Sequence, residues 1–107
     1  MIEIPLENLP NQVFSILLDD ARFEFRINTL DNGACVVSIA RDGVDLIRSV
    51  RTLPFRPLLP YGALEGDTGN FLFETSGGDY PTYTEFGLTQ RLIYASAAEL
   101  GEIRNGG

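Results

Sequence analysis

The sequence predicts a mainly all-β fold, a small antiparallel β-sandwich or a partly open β-barrel with two long ordered loops. Apolar and polar residues alternate with a period of two along much of the chain. Short turns built on Asp, Asn and Gly separate the alternating runs. Hydrophobic residues make up 44% and charged residues 21% of 107 residues, the profile of one packed domain over 1–107.

The elements follow in order. Phe14, Ile16 and Leu18 alternate with polar or outward positions. After the polar bridge Asp19-Asp20-Ala21, Phe23, Phe25 and Ile27 point one way and Arg22, Glu24, Arg26 and Asn28 the other. Two strands with one wet face and a short polar link read as an antiparallel hairpin. Asp31-Asn32-Gly33 marks the next turn, 34–40 a strand, and Arg41-Asp42-Gly43 a further turn. A less regular strand over 44–53 completes a four-stranded meander over 13–53.

Residues 54–69 change texture, because Pro54, Pro57, Pro60, Gly62, Gly66 and Gly69 interrupt regular pairing. Leu58, Leu59 and Tyr61 are too apolar to be left in water, so this loop is expected to pack down. Phe71 and Phe73 resume a strand, 75–84 is a second loop, and 88–95 is the last strand. A short helical turn over 95–103 is expected to give way to a flexible tail from about 102, since Gly101 and Asn105-Gly106-Gly107 follow.

Charge and chemistry narrow the function classes. Fifteen acidic residues face eight basic ones, all arginine, for a net charge of -7. The arginines are scattered among carboxylates, which argues against nucleic acid as a partner. Their rigid forks suit bidentate pairing with protein carboxylates. Cys35 is the sole cysteine and lies in an apolar run, so it is expected to be a buried structural thiol, with no disulfide framework. Residues 1–10 carry no basic region followed by an apolar stretch, and no run of about 18 apolar residues occurs, so neither export by a signal peptide nor a membrane span is expected.

The chain has no histidine, which removes the commonest general base and the commonest zinc ligand. Asp19 and Asp20 sit where a turn is expected. Neither Asp42 with Asp45 nor Asp67 with Asn70 follows an EF-hand spacing. Gly77-Gly78 lacks the strand and helix of a phosphate cradle. An acid–base pair of Glu74 and Glu85 is conceivable, but nothing in their spacing asks for it. The expectation is therefore no catalytic residue, no cofactor and no metal.

The loop aromatics are the candidates for contact. Phe55, Tyr61, Tyr80, Tyr83 and Phe86, with Arg51 and Arg56, are the residue types that protein interfaces favour. The alternative for these rings is that they cap the ends of the β core. A further alternative is a stand-alone module holding a small ligand or carbohydrate between Tyr61, Tyr80 and Tyr83.

The order of features resembles a known family. Ile4-Pro5-Leu6, Pro10-Asn11-Gln12-Val13-Phe14, the alternating hairpin, the Asp42-Gly43 turn and Leu58-Leu59-Pro60-Tyr61 come first. Gly69-Asn70-Phe71-Leu72-Phe73, Asp79-Tyr80-Pro81-Thr82, Gly87 and Leu92-Ile93-Tyr94 follow. Together they resemble the baseplate plug proteins of contractile-tailed bacteriophages over nearly the whole chain. The family pattern has a tryptophan in the strand after the first hairpin, where this chain has Ala34-Cys35-Val36. The resemblance implies a non-enzymatic virion component, made and assembled in the host cytoplasm. It implies multiple copies around the tail axis, contacting hub, tail tube and wedge or sheath-associated subunits.

Overall fold

The computed structural model describes residues 1–60 and 62–105. The meander forms as the alternation predicts: β2 (Gln12–Leu18), β3 (Ala21–Thr29), β4 (Cys35–Arg41) and β5 (Val44–Arg51) make a four-stranded antiparallel sheet in sequence order. Asp19 and Asp20, at φ +50 and +63, form the two-residue link between β2 and β3. Asp42 and Gly43, at φ +50 and +83, link β4 to β5. Positive φ at both positions matches the right-handed twist of a hairpin, and Asp adopts it at low cost.

The second sheet has the order β1 (Ile2–Ile4), β7 (Gln90–Ala95), β6 (Asn70–Thr75). The two sheets are separate, so the fold is a sandwich rather than a barrel. Phe23, Phe25, Ile27, Val37 and Ile39 from one sheet meet Ile4, Phe71, Phe73, Leu92 and Tyr94 from the other in the buried core. Phe71 is central: its ring lies edge-on to Phe23 at 5.1 Å and to Phe25 at 4.9 Å. Such edge-to-face geometry places the positive rim of one ring against the negative face of another.

Both long loops are ordered by the sheet beneath them. The amides of Phe55 and Leu58 donate to the carbonyls of Phe73 and Phe71, each at 2.8 Å, so residues 54–59 run along the free edge of β6. Leu58 and Leu59 are buried. A short helix, α1 (Gly62–Glu65), follows within what the sequence presents as loop. The loop after β6 contains two 3₁₀ turns, Ser76–Gly78 and Tyr83–Glu85. It is clamped by buried Gln90, whose Nε2 donates to the Tyr80 carbonyl (3.0 Å) while its Oε1 accepts from the Thr82 amide (2.8 Å).

The structure departs from expectation at both ends. Ile2–Ile4 is a strand because β7 offers it a partner, with Ile4 facing Leu92. Residues 102–105, expected to lie in a flexible tail, continue helix α2 (Ala97–Asn105). Ser96 and Glu99 form a reciprocal capping box: Ser96 Oγ accepts from the Glu99 amide and Glu99 Oε1 from the Ser96 amide. The far end of α2 is fastened by Arg104, which donates through both terminal nitrogens to the Glu65 carboxylate at 2.9 Å.

Candidate interaction surface

The candidate residues separate into those displayed and those buried. Arg51 ends β5, and its guanidinium carbon lies 5.4 Å from the centroid of the Tyr80 ring. Tyr80 is 60% exposed, so the pair forms a flat cation–π platform facing solvent. Arg51 also lines a cleft of about 320 Å³ with Arg56, Pro57 and Pro60, floored by Val50, Leu53 and Leu58. Arg51 also borders a smaller hollow of about 130 Å³, shared with Thr52, Tyr80 and Pro81. Among the described residues neither Arg51 nor Arg56 forms a salt bridge. Two exposed guanidiniums in an acidic chain are thus left available to carboxylates from elsewhere.

Phe55 is 54% exposed and sits at φ +58. For a bulky side chain the left-handed region costs about 1–2 kcal/mol, and the hydrogen bond that the Phe55 N–H donates to the Phe73 carbonyl holds the conformation. The prolines at 54 and 57 stiffen the segment on either side, so the ring is presented rather than tucked in.

Phe86 corrects the sequence reading. It is 1% exposed and stacked on Phe73, with centroids 5.7 Å apart and planes at 22°. It closes the end of the sandwich and offers no surface to a neighbour. Tyr83 is half-buried against the core, and its carbonyl accepts from Asn8 Nδ2, which also donates to the Phe86 carbonyl. Tyr61 lies outside the described residues. The hollow at Tyr80 does not include Tyr83 in its lining.

Cys35 is buried, and burial pushes its thiol pKa up, with a hydrogen bond to Thr52 acting in the opposite sense. It lies in the lining of the hollow shared by Arg51 and Tyr80, with almost no exposed surface. Among the described residues no group of three or more acidic or cysteine side chains is placed to hold a metal ion. No helix among them is long and apolar enough to cross a membrane.

Two buried polar networks have no counterpart in the sequence motifs. In one, the buried Glu65 carboxylate accepts from Asn70 Nδ2 (2.5 Å) as well as from Arg104, and Asn70 in turn bonds both the amide and the carbonyl of Leu59. Arg41 reaches under the same turn to the carbonyls of Leu64 and Glu65. In the other, the Tyr94 hydroxyl donates to Asp19 Oδ2 (2.6 Å) and accepts from the Gly69 amide (2.9 Å). These networks tie Leu59, Leu64, Glu65, Gly69 and Asn70 to the two sheets and to α2.

The chain matches the family model described as Cyanophage baseplate Pam3 plug gp18 over residues 1–97. It belongs to this baseplate plug family. No curated protein matches the chain. The matched span takes in both sheets and both long loops, and stops where α2 begins. The protein is a structural component of a phage baseplate, virion-associated and in contact with other baseplate proteins.

Proposed function

We propose that this baseplate plug is a non-enzymatic subunit that grips hub, tail tube and wedge or sheath-associated neighbours, in multiple copies around the tail axis, after assembly in the host cytoplasm. Its contacts are carried by Phe55, Arg56, Arg51 and Tyr80, with Tyr83 at the margin. The observation that supports this most is the Arg51–Tyr80 platform beside Arg56, two cations without an acidic partner among the described residues of a chain of net charge -7. Carboxylates on the facing protein would complete bidentate pairs there, while the two rings supply apolar area.

The test replaces Arg51, Arg56 and Tyr80 by Ala, singly and together, and measures incorporation into baseplates. The triple variant should keep the wild-type circular dichroism spectrum and lose incorporation by about tenfold or more, as expected for desolvated interface anchors. Normal incorporation of a folded triple variant would rule out this face as a contact.

A further inference from the structure

The two sheets leave four strand edges, and three of them are guarded. β6 is covered by residues 54–59. β5 carries Asp45, Arg48 and Arg51, shifts register against β4, and has Ser49 at φ +47. β1 is only three residues long. Charges, bulges, short length and covering loops are the devices that keep sheet edges from pairing. β2 has none of them: Gln12–Leu18 is seven residues without a charge, a proline or a register shift.

The backbone of β2 faces outward at alternate positions. The Asp42 amide donates to the Arg22 carbonyl at 2.9 Å, so the even-numbered residues of β3 face β4 and the odd-numbered ones face β2. The β2–β3 register pairs those odd residues with Gln12, Phe14, Ile16 and Leu18. The N–H and C=O groups of Val13, Ser15 and Leu17 are therefore directed away from the sheet. They make no backbone hydrogen bond to any other described residue. Val13 is 65% and Leu17 70% exposed. On the inner side, Phe14 and Ile16 line a groove of about 420 Å³ with Ile4 and Leu6.

We propose that a second copy of this chain occupies the edge, its β2 paired antiparallel with this one about a two-fold axis that passes midway between the two Ser15 residues. In that register Val13 lies opposite Leu17 of the second copy, Ser15 opposite Ser15, and Phe14 opposite Ile16. The outward-facing residues exchange both backbone bonds, and the Val13–Leu17 and Phe14–Ile16 pairs bring apolar side chains together on the outer and inner faces, with Gln12 opposite Leu18 at the two ends. A shift of one residue would set the outward-facing N–H and C=O groups against residues whose own groups point back to β3, and a shift of two would set Val13 or Leu17 against Ser15. A two-fold axis makes the contact self-closing, so it ends at a dimer and joins two four-stranded sheets into one. The two copies repel through their net charge of -7, but β2 itself contributes none of it, so added salt strengthens the pairing. This inference does not rest on the arginine–tyrosine surface, and either can fail without the other.

Sedimentation equilibrium of the full chain tests it. The wild type is expected to form a concentration-dependent dimer whose Kd falls as salt is added. Val13→Lys with Leu17→Lys should raise that Kd about tenfold or more with an unchanged far-UV spectrum, since both side chains are exposed and a charge at an edge opposes pairing. Ser15→Cys would set two Cα atoms about 5.5 Å apart, inside the span of a disulfide. Oxidation should then give a covalent dimer, whereas Ser49→Cys on β5 should not. A chain that stays monomeric at millimolar concentration, or binds only a foreign strand at β2, overturns the proposal. So does a dimer that the lysine variant leaves intact and Ser15→Cys does not link.

Discussion

Phe86→Ala separates a core ring from a contact ring. Phe86 is 1% exposed and stacked on Phe73, and the chain around it is pinned by Asn8 to the carbonyls of Tyr83 and Phe86. That pinning restricts collapse into the space left by truncation. Removing a buried phenyl costs about 3–5 kcal/mol, and a site at the end of the sandwich belongs near the lower figure. A chain of this length gains about 0.2 kcal/mol per kelvin of entropy on unfolding, so ~3 kcal/mol lowers Tm by roughly 13 °C. The assay is thermal unfolding followed by far-UV circular dichroism, with urea m-values to verify that the unfolded reference is unchanged. Tyr80→Ala, at a 60% exposed position, is the comparison and should leave Tm nearly where it was. If Phe86→Ala melts within about 3 °C of wild type at the same m-value, the reasoning that places this ring in the core is refuted.

Two buried networks make pH-dependent predictions. The Arg104 guanidinium holds the Glu65 carboxyl below its usual value, against burial and with help from Asn70. Its stabilisation is therefore complete above pH 4.5 and is lost as pH falls through the lower folded value. Glu65→Gln should cost about 2 kcal/mol at neutral pH, with the gap to wild type closing in acid on urea titration; a constant gap would show that the charge is not what matters. Burial first, then the bond to Asp19, pushes the Tyr94 phenol up from 10.0 to about 12. Between those values the unfolded chain has released a proton that the folded chain retains, so wild-type stability falls as pH rises. Tyr94→Phe should lack that part of the fall, and parallel pH profiles for the two proteins would contradict the assignment.

The legible part of the fold was the part made by neighbours in sequence. The β2–β5 meander follows from alternation in Phe23, Phe25 and Ile27 and from the turns at Asp19-Asp20 and Asp42-Gly43, all local signals. β1 was not legible, because Ile2–Ile4 becomes a strand only beside β7, at the opposite end of the chain. The capping box of Ser96 and Glu99 is present in the sequence, but Gly101 disfavours a helix, and the bond from Arg104 to Glu65 joins residues 39 apart, with β6 and β7 between them. The loop aromatics were ambiguous for a physical reason: Tyr80 and Phe86 flank the same turn, and only the position of Phe73 beneath it decides which ring goes down.

The same loop that presents Phe55 and Arg56 also covers the β6 edge, and this couples assembly to protection. The amides of Phe55 and Leu58 bond the carbonyls of β6, and Asn70 bonds both polar groups of Leu59, so the loop is held by the strand it shields. A loop ordered in this way has already lost the conformational freedom that binding would otherwise remove, which favours affinity without added contact area. A change that detached it would remove the contact residues and expose an apolar strand edge together. β2 differs in having no such cover, so the chain guards β6 while leaving uncharged β2 open along its full length.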